Sequence, residues 1–310
     1  MTRQSAPRLP GNIQTFSRSA SAPHGHRRLA VAAALAAAAF AWSASARAGL
    51  VAPDGQALAG SYGTVTTQNW AGYAVTASSG QAFTDVSASW TVPSATAAPD
   101  ATSSYSAFWV GLDGLKSSSV EQIGISADVS NAIPQYYAWY EMYPDPAYLI
   151  TTGSRHSQTA APVIPGDAIS AEVKYTSATQ LFTLSMSDVT QNWTFAIDLA
   201  VPTGTTAPRS SAEWIAEAPS SSQTSSVLPL ANFASVTFTA ASATLDGTQT
   251  GGISTFSYSA INLVPKSGLG AVASSLTGGN SFTVSVVPEP ASLGLAGLAS
   301  LGLLARRRRA

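Results

Sequence analysis

Cysteine is absent from all 310 residues. That rules out disulfides, thiolate nucleophiles and cysteine-held metal sites. Histidine is nearly absent: of three, only His156 follows residue 48, and it sits in a Gly-Ser-rich loop. No Gly-x-Ser-x-Gly elbow surrounds any serine, so a Ser–His–Asp triad has no support. One histidine without a His-Glu-x-x-His helix does not build a zinc site, so no metal and no cofactor is expected. There is no glycine-rich phosphate loop. Charge is scarce as well, at 10 % of residues against about 25 % in an average globular chain. The overall net charge of −1 hides a segregation. Residues 49–305 carry five bases against sixteen acids, a net of −11. The remaining ten bases lie outside that segment, six before it and four at Arg306–Arg309. A body this acidic repels phosphate backbones, which argues against a nucleic-acid partner. It suits an acidic medium, where protonated carboxyls leave few cations to repel one another.

What is present is apolar and aromatic: 45 % and 9 % of residues. Between residues 61 and 287, short runs rich in Val, Thr, Tyr, Phe and Trp alternate with Gly, Ser, Pro and Asp turns. Strands are expected at 68–76, 83–92, 105–112, 120–128, 135–143, 168–175, 180–187, 192–199, 211–217, 234–245, 253–263 and 281–287. Segments 219–226 and 246–252 are expected to be loops. After residue 48 no stretch keeps a helical apolar period until Ala291. The pattern predicts an all-β, two-sheet antiparallel β-sandwich over 67–287.

The two ends read as addresses. His26-Arg27-Arg28, the apolar run Leu29–Ala41 and Ala46-Arg47-Ala48 make an export signal over 1–48, with cleavage expected after Ala48. Residues 49–66 are then a lead-in or short propeptide. At the other end Val287-Pro288-Glu289-Pro290 precedes a short apolar segment, Ala291–Ala305, and the tetra-arginine tail. Such a tail stays cytoplasmic by the positive-inside tendency. The order resembles the PEP-CTERM sorting signal over 288–310, with a short transmembrane helix. That resemblance implies an exosortase-type processing enzyme in a Gram-negative cell, transient anchoring in the inner membrane, and release or surface attachment.

With nucleophiles and metals set aside, carboxylates, amides and aromatics remain. Alternate residues of a strand share a face. Glu213, Ile215 and Glu217 therefore point one way along Ala212–Glu217. Tyr137, Trp139 and Glu141 share a face, as do Trp109, Gly111 and Asp113. Gln122 lies in the strand-like run Val120–Gly124, and Tyr143-Pro144-Asp145-Pro146-Ala147-Tyr148 makes a proline-stiffened loop.

The ordered set Asn69-Trp70-Ala71-Gly72-Tyr73, Trp90-Thr91-Val92-Pro93, Trp109-Val110-Gly111-Leu112-Asp113-Gly114, Glu121-Gln122-Ile123-Gly124, Ala138-Trp139-Tyr140-Glu141-Met142-Tyr143-Pro144 and Glu213-Trp214-Ile215-Ala216-Glu217 resembles the glutamic peptidases (eqolisins). The resemblance implies a concave β-sandwich cleft that binds polypeptides. It implies a catalytic pair, Gln122 and Glu217, and substrate contacts at Trp139, Glu141, Asp113, Trp70 and Tyr143. It also implies that Tyr143–Gly153 covers the cleft. Ala218 stands where many relatives carry an acidic or polar residue. In such a site Glu217 takes a proton from water as general base and Gln122 stabilises the oxyanion. Asp113 and Glu141 are expected to raise the Glu217 pKa by like-charge repulsion, favouring work at acid pH. The competing readings are a sugar-binding or glycoside-hydrolysing sandwich, with Glu141 and Glu217 at about 5–5.5 Å, and a catalytically silent adhesin. A monomer is the expected assembly.

Overall fold

The computed structural model describes residues 63–288 except 155, 156, 222, 223 and 225. The export signal, most of the lead-in, His156 and nearly all of the sorting segment lie outside the described residues. The strands, in chain order, are β1 (Gly63–Thr67), β2 (Trp70–Thr76), β3 (Phe83–Thr91), β4 (Ser103–Ser104), β5 (Ala107–Leu112), β6 (Val120–Ser130), β7 (Ile133–Tyr143), β8 (Tyr148–Leu149), β9 (Thr151–Ser154) and β10 (Ser157–Ala160). They continue as β11 (Ala168–Thr176), β12 (Leu181–Asp188), β13 (Trp193–Leu199), β14 (Ser211–Glu217), β15 (Ser235–Leu245), β16 (Gln249–Gly252), β17 (Ser257–Leu263), β18 (Gly270–Ala273) and β19 (Phe282–Val287).

Pairing sorts these strands into two layers. The first runs β1-β17-β2-β14-β5-β6-β7-β8. The second runs β13-β12-β11-β3-β15, with β16 and β19 both on β15. Strand β18 pairs with both β17 and β19 and so links the layers along one edge. Apart from the parallel pair of β1 with β17, the ladders are antiparallel. The layers pack face to face, β5 and β6 of the first against β3, β11 and β12 of the second. Alternation explains how. Ala212, Trp214 and Ala216, then Phe108, Val110 and Leu112, then Ile123, Ile125 and Ala127 point into the shared core. They meet Val86, Ala88 and Trp90, Val173, Phe182 and Leu184 from the second layer. Trp214 Nε1–H donates to the Ser87 carbonyl at 2.8 Å and ties the layers at their centre.

Strands β5 and β14 are buried on both faces. The residues of β14 that turn away from the core, Glu213, Ile215 and Glu217, are therefore also out of water. Strand β12 instead alternates half-buried with buried.

Each of the twelve expected strands is present, with ends shifted by a few residues. Three expectations change. Residues 246–252 contain β16, paired with β15 around Asp246-Gly247, both in the left-handed region that a tight hairpin needs. Residues 253–255 form a short 3₁₀ turn, so the strand expected from 253 begins at Ser257. Gly63–Thr66, read as part of the lead-in, belongs to the paired strand β1. Among the described residues no helix is long and apolar enough to cross a membrane.

Candidate active site

Four neighbouring strands bring the expected residues into three cross-strand rows. The first row is Glu213–Gly111–Gln122–Glu141. The second is Ile215–Trp109–Gly124–Trp139, and the third is Glu217–Ala107–Ser126–Tyr137. Trp70 follows Glu217 on the outer side, paired from β2. Since side chains alternate, all three rows project from the same face, opposite the core.

The small residues in this grid make room for Trp109. A Cβ on Gly124 would lie 2.6 Å from Trp109 Cβ and 2.5 Å from the Phe108 carbonyl oxygen. A Cβ on Gly111 would lie 3.0 Å from Trp109 Cζ3 and 3.1 Å from Gln122 Cβ. The Trp109 ring thus lies over Gly111 beside Gln122. Its other end reaches the third row, where Nε1–H donates to Glu217 Oε2 at 2.8 Å. Asn69 Nδ2 donates to the other oxygen, Oε1, at 3.4 Å. Trp70 packs edge-on against Trp109, with centroids 5.0 Å apart and planes at 77°. Its Nε1–H has no hydrogen-bond acceptor, yet it lies close enough to favour the Glu217 anion. Glu217 is 1 % exposed. Burial pushes its carboxyl up to about 7, against the opposing pull of the Trp109, Trp70 and Asn69 donors.

Gln122 is wholly buried and donates from Nε2 to Glu141 Oε2 at 2.6 Å. Gln122 Oε1, Glu141 Oε1 and Trp139 Nε1 have no partner. Burial drives the Glu141 carboxyl well above the usual carboxylate range; the Gln122 bond opposes this and the charge of Glu217 adds to it. Tyr143 ends β7 on the same face, half-buried and opposite Val120. Gln122 and Glu217 stand on a diagonal, two strands and four residues apart. The Trp109 ring lies between them, and the charge of Glu217 still reaches Glu141, the hydrogen-bond partner of Gln122.

Asp113 is placed elsewhere. It has a left-handed φ of 68° and accepts from Arg209 N (2.6 Å), Ser210 N (2.8 Å) and Ser210 Oγ (3.1 Å). Its carboxylate fastens the chain where it enters β14. The charge of Asp113 bears on Glu121 and Glu213, not on Glu217. The expected like-charge push on Glu217 is therefore replaced by desolvation as the cause of its raised pKa. The Tyr143–Gly153 segment, expected as a cleft cover, partly joins the sheet: Tyr148 and Leu149 pair with Tyr140 and Trp139. Two contacts had no assigned role in the sequence, Trp109 and Asn69. They lie 108 and 148 positions from Glu217, a separation that no local pattern reads. Among the described residues no group of three or more His, Asp or Glu is placed to hold a metal ion. A shallow groove of about 440 Å³ lies on the outer face of the second layer, lined by Ser87, Ser89, Ser170, Glu172 and Ser185. It shares no residue with the three rows.

The Peptidase A4 family profile matches residues 68–286, and the PEP-CTERM protein-sorting motif matches 286–309. Aspergillopepsin-2 of Aspergillus niger is 28 % identical over 203 residues, covering 60 % of this chain and 67 % of its own. Scytalido-glutamic peptidase, solved with a transition-state analog inhibitor, superposes with a TM-score of 0.57 at 24 % identity, over 71 % of this chain and 98 % of that one. The eqolisin-family peptidase SCP-B, solved with the tripeptide Ala-Ile-His, gives 0.50 at 23 % identity with the same coverage. A β-sandwich with these matches over most of its length is a glutamic endopeptidase fold: the chain belongs to the Peptidase A4 (eqolisin) family and carries a PEP-CTERM motif at its C-terminal end.

Proposed function

We propose that this protein is an exported endopeptidase in which Glu217 and Gln122 activate a water against a peptide carbonyl, without a covalent intermediate. The observation that carries the reading is Glu217 itself: a buried carboxyl, held at both oxygens by neutral N–H donors. Such a group is fixed in place and still able to take a proton. Ionised Glu217 removes a proton from water as the oxygen attacks the carbonyl carbon. A free N–H of Gln122 stabilises the oxyanion. The C–N bond then breaks and Glu217 returns the proton to the leaving nitrogen. Trp139, Trp70 and Tyr143 line the substrate side beside the Gln122–Glu141 pair, and Asp113 is assigned to supporting the loop at 209–210.

Two slopes set the pH range. Glu217 must ionise, which favours pH toward about 7. The fold is best stabilised while its buried carboxyls are protonated, below their usual value of 4.5. The working window lies between these limits, on the acid side of neutrality. Gln122 and Glu217 are 0 % and 1 % exposed, so turnover demands that the concave face open to the peptide. The PEP-CTERM motif supports export, membrane sorting and an exosortase-type processing partner. The test is a casein digest with processed protein from pH 3 to 7, repeated with Glu217→Gln and Gln122→Ala. Cleavage by the unaltered protein alone is the expected result. Cleavage that survives Glu217→Gln overturns the assignment.

A further inference from the structure

Gln122 and Glu141 face each other directly across β6 and β7, both out of water, and share a single hydrogen bond of 2.6 Å. The other oxygen of each, Gln122 Oε1 and Glu141 Oε1, has no partner. Two unpartnered acceptors on one buried pair are costly, because each forfeits its hydration without replacement. One proton removes most of the difficulty. A neutral carboxylic acid and a primary amide close into a ring, with the acid O–H donating to the amide oxygen and an amide N–H donating to the acid carbonyl oxygen. Both oxygens of the acid and the oxygen of the amide are then engaged. The amide cannot turn over, and its second N–H is left to point out of the pair.

We propose that Glu141 works as a neutral acid, ring-paired with the Gln122 amide, and thereby fixes a Gln122 N–H toward the substrate carbonyl. Glu141 is a positioning residue in this scheme, acting through Gln122; the proposal rests on the peptidase reading for its catalytic consequence. The surroundings favour the neutral form. The charged group facing Glu141 is Glu217, from β14. Strand β6 presents Gln122, which is uncharged, and β5 presents Gly111 and Trp109 in the adjoining rows. No cation among the described residues lies close enough to favour the Glu141 anion. Ionisation places lone pairs against Gln122 Oε1 and leaves both carboxylate oxygens seeking donors. The amide then turns its N–H groups inward, and the oxyanion loses its donor.

The test compares Glu141→Gln with Glu141→Leu. Glutamine reproduces the donor and acceptor of the neutral acid and cannot ionise. Glu141→Gln is expected to keep kcat within about tenfold, with its alkaline limb displaced to higher pH. Glu141→Leu is expected to lose about 100-fold or more in kcat with little change in KM, the size of effect seen when one oxyanion donor is removed. Rates are compared only where circular dichroism shows both proteins folded. The second readout needs no activity. The side-chain amide resonances of Gln122 in ¹⁵N-labelled protein, assigned by their loss in Gln122→Ala, should move as Glu141 titrates and stay fixed in Glu141→Gln. An unmoved alkaline limb, or a Glu141→Gln as impaired as Glu141→Leu, overturns the proposal, as does a Gln122 amide blind to pH. A responsive amide in a protein that cuts no peptide leaves the pairing standing and overturns the peptidase reading instead.

Discussion

Glu213 and Glu217 stand on the same strand, on the same face, four residues apart, and both are out of water. They are nevertheless different chemical groups. Glu217 receives N–H donors at both oxygens, from Trp109 and Asn69, and its carboxyl rises only to about 7. Neither oxygen of Glu213 has a hydrogen-bond partner, and the Ser211 hydroxyl and Leu115 N–H nearby oppose its rise only in part. Burial lifts it well above the usual range, and the nearby charges of Asp113 and Glu121 lift it further. Glu121 is in the same condition, with both oxygens unpartnered. Burial alone makes a carboxyl neutral and inert. Burial with neutral donors makes one that can ionise within reach of neutrality and act as a base.

The largest expected effect is the separation of these two glutamates by the same substitution. Glu217→Gln should lower kcat/KM on a peptide substrate by about 10³-fold or more, the upper part of the range for a general base. Glu213→Gln should stay within about threefold, because it exchanges one neutral buried group for another of equal size. If both variants fell equally, the donor argument would fail and the end of β14 would hold no special chemistry.

Next in size come the donors. Trp109→Phe keeps most of the ring over Gly111 and deletes the N–H at 2.8 Å. Losing a donor to the anion raises the Glu217 pKa, so the acid limb of the kcat/KM profile should move to higher pH. A loss of about tenfold at pH 5 follows for each pH unit of displacement. Asn69→Ala removes a longer bond, 3.4 Å, and should move the same limb in the same direction by less. A larger shift from Asn69 than from Trp109 would mean that distance does not rank the two donors.

Reading this arrangement from the sequence succeeds to differing degrees in different places. Strands such as β12, with apolar residues at every second position, announce themselves. The edge strands β1 (GTVTT) and β16 (QTGG) carry too few apolar residues to show a period. Strand β14 is buried on both faces, so alternation there does not say which of Glu213 and Glu217 has donors. The ordered motifs do point to Gln122, Glu141 and Glu217. They group Asp113 with the same cleft because it follows Trp109 by an even number of residues. The left-handed turn at Asp113 takes its carboxylate to residues 209 and 210 instead. Hydrogen bonds spanning more than a hundred residues are set by strand order, which no local window contains.

The smallest effect concerns stability. Glu213, Glu121 and Glu141 have folded-state pKa values raised above the ordinary 4.5. Above pH 4.5 the unfolded chain gives up their protons while the fold retains them. The unfolded state therefore binds fewer protons, and stability falls as pH rises. The contribution is complete below pH 4.5 and drains away as pH climbs through each folded-state value. Glu217 and Asp128, both raised to about 7, add to the loss between the ordinary carboxylate range and neutrality. The melting temperature should accordingly be highest at acid pH and decline toward pH 7 and beyond. Replacing Glu213 with Gln removes one titrating group and keeps its volume, so the variant should gain a few degrees over the unaltered protein at pH 7. The two should melt together at pH 4, where Glu213 is neutral in both states. Thermal melts across that range measure it. Parallel curves would mean that Glu213 finds donors in solution, which would erase its contrast with Glu217.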